Sequence, residues 1–295
     1  PTVTPLPDRG LATLPPTFTP VPTVAMVGPT SLPAPEGISG RLFGWSGRDL
    51  ENLTYLPIVE FPLDGGQVRR IGSEVGRHTM VSADGQRIAF TRLLRLTGLL
   101  EIGLMDAGGE ILFSNLDNAS SLALFNDSYM PSLSADGMQI VFIGQSTETR
   151  TDEVYLVDLR EDAEQPAVRI TSDTANYSYP SLSPDGRRIV AVRDDLTSDN
   201  PGPDLVIIDI ASRTLTPLTT DRRAVGEAMP RWNPTGTLIV YAGSEDGQTH
   251  DIYITASDGR DAGFKIIESA ADDIYPVFSP AGEFLAFASN RTGSY

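Results

Sequence analysis

A tight turn followed directly by an apolar strand is encoded in Tyr179-Pro180-Ser181-Leu182-Ser183-Pro184-Asp185-Gly186-Arg187-Arg188-Ile189-Val190. Its centre, Ser183-Pro184-Asp185-Gly186, has the composition of a type I turn, because Pro sets φ, Asp suits the next position and Gly accepts a left-handed conformation. Such a turn joins two antiparallel strands as a hairpin with a glycine bulge. The segment therefore predicts a β-hairpin.

The same glycine turn recurs at intervals of 45–52 residues. Most copies are followed by a run of strand-forming residues, a polar loop and a third strand, as at residues 154–158. A fourth strand then ends near Ile170-Thr171 or Leu218-Thr219. Four short antiparallel strands in a repeat of this length predict one blade of a β-propeller. The recurring glycines are Gly40, Gly85, Gly137, Gly186, Gly236 and Gly282.

The predicted fold is all-β: a six-bladed β-propeller of four-stranded antiparallel blades over residues 37–295. We expect blades to begin near residues 37, 78, 129, 178, 228 and 274. The last blade is incomplete, since the sequence stops where its third strand should begin, and we expect truncation at both ends. Either the C-terminal strands pair with the N-terminal blade, or the ring is open.

Residues 1–36 have a different composition, with ten prolines interleaved with threonines. Such a segment forms neither helix nor central strand, because proline lacks the N–H donor that both need. We expect a disordered, extended Pro/Thr-rich linker or stalk that holds the propeller near a membrane or cell wall. This favours a periplasmic or extracellular protein, secreted or anchored by a segment upstream. A disordered cytosolic linker is the alternative.

The overall charge limits the class of partner. The formal net charge is −17 and the chain has no cysteine. Nucleic-acid binding needs clustered Lys and Arg, so an acidic protein is a poor candidate for it and for anionic membrane surfaces. The charge favours solubility, basic partners or cations. The sequence contains no run of 18 apolar residues, which a transmembrane helix would need.

The motif Tyr-Pro-Ser-Leu-Ser-Pro-Asp-Gly at 179–186, followed by an apolar strand and a later Leu-Thr pair, resembles the TolB-type (WD-like) β-propeller repeat. The resemblance covers residues 37–295 and implies a binding propeller. TolB itself binds a peptidoglycan-associated lipoprotein at its channel mouth. It also carries an α/β domain before its propeller, where this chain has a Pro/Thr segment, so the chain is not expected to be TolB itself.

The predicted site is an acidic, tyrosine-containing rim at the channel mouth, formed by interblade connections and by loops between second and third strands. Tyrosine and acidic side chains together suit amphipathic contacts with a protein or peptide. The alternative is that the acids are solvated loop residues and the tyrosines pack between blades. The candidate ligand-binding residues are Tyr129, Tyr179, Tyr275, Asp127, Asp194, Asp195, Asp272, Asp273 and Arg193.

Catalytic and metal chemistry have little support in the sequence. The two histidines, His78 and His250, fall in different blades, and no segment has the carboxylate spacing of a calcium loop. We predict no cofactor, and a bound calcium ion has no specific motif. The recurring turn aspartates Asp84, Asp136 and Asp185 are expected to cap their own backbone.

Three functions are consistent with these patterns. The first is a monomeric, non-catalytic module that binds a protein or peptide at the channel mouth. The second is an accessory propeller of a larger enzyme or receptor, such as a prolyl-oligopeptidase-type peptidase or a membrane kinase sensor. The third is recognition of cell-wall carbohydrate by Trp45 or Trp232.

Overall fold

The computed structural model shows an all-β protein whose strands form six small sheets. The regular elements of the described residues are β-strands, and no helix long and apolar enough to cross a membrane is found among these residues. The description covers residues 24–26, 40–45, 57–64, 66–93, 99–114, 125–160, 167–195, 202–219, 226–245, 247–260 and 263–291.

Four consecutive sheets have the predicted four antiparallel strands, and each is built from strands that follow one another in sequence. The short apolar runs after the glycine turns form the second strands, which are almost fully buried. The four sheets comprise β5 (Arg77–Val81), β6 (Arg87–Leu93), β7 (Leu100–Asp106) and β8 (Ile111–Ser114); β9 (Phe125–Leu133), β10 (Gln139–Ser146), β11 (Asp152–Asp158) and β12 (Val168–Arg169); β13 (Asn176–Leu182), β14 (Arg188–Asp194), β15 (Pro203–Asp209) and β16 (Leu215–Pro217); and β17 (Ala228–Trp232), β18 (Leu238–Gly243), β19 (Asp251–Ala256) and β20 (Phe264–Ile267).

The sheets at the two ends of the chain differ from the prediction, because each has three strands among the described residues. The first sheet follows Gly40 directly, and no inner strand of it is found among the described residues, which leave out 27–39. The last sheet gains a strand from the N-terminal segment. The two sheets comprise β2 (Arg41–Trp45), β3 (Pro57–Pro62) and β4 (Arg69–Val75); and β1 (Val24–Met26), β22 (Leu285–Ser289) and β21 (Asp273–Phe278).

Strand β1 lies within residues 1–36, the segment predicted to be a Pro/Thr-rich linker or stalk. Val24 pairs with Ala286, and Met26 pairs with Ala288, so β1 runs parallel to β22. It therefore occupies the third-strand place of the last sheet, where the other blades have an antiparallel strand. The C-terminal hairpin thus pairs with residues that precede the N-terminal blade, and not with the strands of that blade.

The glycine turns have the predicted geometry. The amide of Gly186 donates to the carbonyl of Ser183 at 2.9 Å, and φ of Gly186 is 69°. The carboxylate of Asp185 accepts from the Ser183 hydroxyl at 2.5 Å and from the backbone N–H of Arg187 at 3.2 Å. Because these local donors occupy the carboxylate, the recurring aspartates serve the turn, as the sequence predicts.

The hydrophobic core lies between neighbouring blades. One cluster joins Val141 and Ile143 of β10 to Tyr177 of β13 and Ile189 of β14, and similar clusters join the other sheets that follow one another in sequence. Stability of a propeller therefore depends on each blade burying one face against the next. This stacking brings the first strand of each blade to the inner wall.

Candidate functional site

One residue in each of five inner strands has a left-handed backbone although it is not glycine. The five residues are His78, Met130, Tyr179, Met229 and Tyr275, with φ between 49° and 55°. The pairing of each strand with its neighbour shifts register at this point, which identifies a β-bulge. Bulky residues with positive φ are uncommon, so a bulge repeated in five blades defines the shape of the inner wall.

Sulfur atoms link some of these bulges to the next blade. The backbone N–H of Tyr179 donates to the sulfur of Met130 at 3.4 Å, and the N–H of Tyr275 donates to the sulfur of Met229 at the same distance. These contacts provide acceptors for backbone amides that the bulges remove from the hydrogen-bond ladder between strands. They hold both tyrosines on the inner wall.

The bulges and the residues beside them enclose a narrow cavity of about 40 Å³ in the channel. It is contributed by five inner strands, β5, β9, β13, β17 and β21. No Asp or Glu of the described residues lines it. With two prolines, the wall consists of His78, Thr79, Met130, Tyr179, Arg231 and Tyr275.

Arg231 gives this cavity a positive charge. Its Nη1 donates to the carbonyl of Pro230 at 2.8 Å, and among the described residues it forms no ion pair. Burial lowers the pKa of Arg231 to about 10, while Tyr275 and Tyr179 oppose the decrease. At neutral pH the guanidinium is still protonated, and most of its five donors remain available to a ligand.

The opposite wall adds a neutral imidazole and a hydroxyl. Burial lowers the pKa of His78 to about 4, with further contributions from Arg77 and Arg231. The buried Thr79 hydroxyl has no hydrogen-bond partner in the described part of the chain. Burial also raises the pKa of Tyr179 and of Tyr275, so both phenols are protonated and can donate.

Of the predicted site residues, the structure brings only Tyr179 and Tyr275 together in the cavity. The prediction that the tyrosines and Asp127 lie in loops is wrong, because Asp127 and Tyr129 belong to β9, and Tyr179 and Tyr275 lie in β13 and β21. Asp273 begins β21, and Arg193 and Asp194 end β14. The inner strands are longer than their polar residues suggested.

Tyr129 lies outside the cavity. Its ring packs against the buried cluster between the second and third four-stranded blades. Burial, with the adjacent Asp152 carboxylate, raises the pKa of the Tyr129 hydroxyl. It therefore matches the alternative in which a tyrosine packs between blades.

Two predicted acids join blades through backbone amides. Asp127 accepts from the N–H of Leu100 at 2.7 Å, and Asp272 accepts from the N–H of His250 at 2.8 Å. Each bond links the start of a third strand to the next blade. An asparagine does the same between β11 and β13, where the N–H of Asp152 donates to Asn176 at 3.1 Å. Charge is not needed for this contact.

Three of the remaining polar candidates, Arg193, Asp195 and Asp273, take part in ion pairs. Arg193 donates to Asp173 and to Asp195, each at 2.9 Å. Asp273 is fully buried and pairs with Arg291 at 3.0 Å. In Asp194, the buried Oδ1 atom has no hydrogen bond among the described residues. Most residues of the predicted acidic rim therefore form hydrogen bonds or ion pairs within the fold.

Buried glutamates add a second internal network. Glu153 is fully buried and accepts from Arg169 at 2.8 Å, from Thr151 at 2.9 Å and from the Thr171 hydroxyl. Glu227 is bonded in the same way by Thr219. The pairs Ile170-Thr171 and Leu218-Thr219, which follow the fourth strands, therefore each carry the hydroxyl donor of a buried carboxylate.

The carbohydrate hypothesis receives no support from Trp232. This side chain is buried, its Nε1 donates to the carbonyl of Ser181 at 2.9 Å, and the guanidinium of Arg188 lies 4.8 Å from its ring centre. It is a core residue and cannot stack on a sugar. The Trp45 side chain lies outside the described residues. In the described segments, no three His, Cys, Asp or Glu residues are grouped as a metal site would require.

Sequence reasoning missed Arg231, His78, Thr79 and Met130. The signal for Arg231 is its position two residues after the bulge, where the other blades have Met80, Ser132, Ser181 and Val277. One large cation thus replaces small or uncharged residues at a repeated position. Comparing copies of the repeat would have identified it.

Comparison with known proteins agrees with this fold. A TolB homologue from Chlorobium luteolum is 35% identical over 115 residues, which are 39% of this chain and 24% of that protein. The crystal structure of TolB from Acinetobacter baumannii matches with a TM-score of 0.59 and 19% identity, over 82% of this chain and 56% of the other. The chain is therefore similar to TolB proteins and has a β-propeller fold like theirs.

Other solved structures place this propeller in several contexts. A putative TolB from Agrobacterium tumefaciens matches with a TM-score of 0.61 and 16% identity, over 85% of this chain and 90% of that chain. A prolyl endopeptidase matches with a TM-score of 0.50 and 13% identity, over 81% of this chain but 37% of the enzyme. At such identities the likeness shows the fold alone. No family model matches the chain.

Proposed function

We propose that this propeller is a non-catalytic module that binds a protein or peptide at the channel-mouth face. The observation that carries the proposal is the ring of left-handed bulges, which directs unlike side chains of five blades into one cavity. Of the five bulge residues, all but Met229 line the cavity: His78, Met130, Tyr179 and Tyr275. A wall that combines an imidazole, a thioether and two phenols with Arg231 favours recognition over packing.

The composition of the wall suits a peptide partner. Tyrosine presents an apolar ring and a polar hydroxyl, and methionine adapts to irregular surfaces, so both are frequent in protein interfaces. The similarity to TolB supports the same assignment. With it we propose a periplasmic or extracellular location. In this proposal the protein is a monomer tethered by the Pro/Thr-rich segment, and Tyr129, Asp127, Asp194, Asp195, Asp272, Asp273 and Arg193 support or surround the site.

A peptide-display selection tests the proposal. A random library is selected on the immobilised protein, with counter-selection on Tyr179→Ala/Tyr275→Ala. We expect enriched peptides to bind the wild type and to lose at least about 10-fold in affinity on the double variant, because central aromatic residues dominate such interfaces. Tyr177→Phe, which alters a buried tyrosine outside the cavity, is the matched control. Equal binding to all three proteins would place recognition elsewhere.

The second candidate is an accessory propeller of a larger protein. The prolyl endopeptidase match favours it, because this chain covers 37% of that enzyme. The test is the complete reading frame from the genome. A hydrolase or kinase domain in the same frame would support the accessory role, and a reading frame that contains only the propeller would remove it.

A further inference from the structure

The central cavity has a charge opposite to that of the whole protein. The chain carries a net charge of −17, yet the cavity wall contains Arg231 and no described acid. Arg77 is near enough to act electrostatically on His78 and Tyr275. Arg231 is partly buried and has no acidic partner among the described residues, so burial of its charge costs free energy that no ion pair offsets. A ligand of opposite charge would offset this cost.

From this arrangement we infer that the cavity binds a single carboxylate, carried by an acidic side chain or the C-terminus of the partner. Arg231 supplies the planar donor fork that matches a carboxylate, and Tyr179 and Tyr275 supply phenolic hydroxyls in the same wall. Thr79 adds a buried hydroxyl with no hydrogen bond among the described residues. The inference rests on the proposed peptide-binding function and identifies the group that the peptide presents.

Size and charge favour a carboxylate over other anions. A cavity of about 40 Å³ has room for roughly three water molecules, which is close to the three heavy atoms of a carboxylate. A whole peptide segment does not fit, so its body would remain at the mouth. A phosphate group has five heavy atoms and requires more space than a carboxylate. His78, which is neutral at physiological pH, adds no second positive charge to the cavity wall.

Small anions test the site without a peptide. Thermal unfolding of the full chain is measured with sodium acetate, sodium phosphate or sodium chloride at equal ionic strength. We expect acetate to raise Tm above the chloride value in the wild type, because a ligand that binds only the folded state stabilises it. The response should disappear in Arg231→Met and persist in Arg260→Gln, which makes the same charge change at an exposed site.

The variant Arg231→Lys keeps the inference testable if Arg231→Met does not fold. Lysine keeps the charge but lacks the planar fork, so we expect acetate to bind about 10-fold more weakly than in the wild type. Equal acetate responses in the wild type, Arg231→Met and Arg231→Lys would overturn the inference. If Arg231→Met does not fold, equal responses of wild type and Arg231→Lys have the same meaning. A response to phosphate but not to acetate would overturn the carboxylate assignment.

The peptide experiment separates this inference from the proposed function. If selected peptides require an acidic residue and bind Arg231→Met at least about 10-fold more weakly, both stand. If they bind Arg231→Met and wild type equally, peptide recognition stands and the carboxylate site fails. If no peptide is enriched while acetate raises Tm through Arg231, the proposed function fails and the anion site stands.

Discussion

Asp127 and Leu100 join two blades through one hydrogen bond: the side-chain Oδ1 of Asp127 accepts from the backbone N–H of Leu100 at 2.7 Å. The amide begins β7 and the acceptor lies in β9 of the next blade. His250 with Asp272 and Asp152 with Asn176 repeat the contact elsewhere. A residue that looks like part of an acidic surface is therefore an interblade bond.

Replacing Asp127 tests whether this contact needs a charge. We expect Asp127→Ala to lower the free energy of unfolding by about 1–2 kcal/mol, because the Leu100 amide loses its acceptor. Asp127→Asn should cost less than about 0.5 kcal/mol, since Asn176 already performs the same role in the next blade. Urea unfolding of the three proteins measures both values. A large loss in Asp127→Asn would show that the charge itself matters.

The sequence predicted the turns and strands whose backbone conformation requires particular residue types. A glycine with φ near 70° closes a turn whatever the protein does, so Gly85 and Gly186 revealed the repeat and its strands. The second strands are buried on both faces, and their apolar runs made them easy to recognise. Periodicity therefore predicted the fold, because the same physical demand recurs in each blade.

The site was harder to predict because it depends on departures from the repeat. The bulge at Tyr179 changes which side chains face the channel. The local sequence contains no signal that predicts a left-handed backbone for a tyrosine before a proline. Acidic residues were assigned to the rim by composition, whereas Asp273 is buried against Arg291. Partners far apart in sequence decide whether a charge is available, and composition does not contain that information.

The pH dependence of stability should contain a contribution from His78. Burial lowers its pKa from 6.5 to about 4 in the folded protein. Between these values the unfolded chain binds a proton that the folded chain does not, so stability rises with pH in this window. Acidification from about pH 6.5 to pH 4 should therefore remove about 3 kcal/mol, and the loss should end below pH 4.

The variant His78→Asn isolates this contribution. Asparagine tolerates the positive φ of 49° found at His78 and does not titrate. Urea unfolding at intervals from pH 4 to pH 7 should show a slope of stability against pH that is shallower by about 1.4 kcal/mol per unit in the variant. The protein has two histidines, so NMR titration identifies the His78 ring as the signal missing in the variant. An unchanged slope would contradict the buried neutral imidazole.

The buried pair of Glu153 and Arg169 should couple strongly. Glu153 is fully buried and its Arg169 partner is mostly buried. Because removal of either partner leaves the other charge in a poor solvent, we expect Glu153→Gln and Arg169→Met each to cost about 3 kcal/mol. The double variant should cost at least about 1 kcal/mol less than the sum of the two single losses.

An exposed pair is the matched control for this cycle. Asp136 and Arg160 form an ion pair at 2.6 Å, but about half of each side chain is exposed. We expect a coupling below about 0.5 kcal/mol for Asp136→Asn with Arg160→Met, since water and salt screen the attraction. Denaturant unfolding of both sets gives the comparison. Equal couplings in the two pairs would show that burial does not strengthen the Glu153–Arg169 interaction.

Strand β1 should protect the edge of the last sheet. Its residues Val24–Met26 pair in parallel with β22, so removing residues 1–30 would leave that edge open. We expect backbone amides of 285–289 to exchange with deuterium at least about 10-fold faster in this truncated chain, while those of 139–146 in β10 keep their rates. Removal of residues 1–20 alone preserves β1 and should leave both sets of amides unchanged. Faster exchange after the shorter deletion, or unchanged exchange after the longer one, would show that β1 does not hold the C-terminal hairpin in solution.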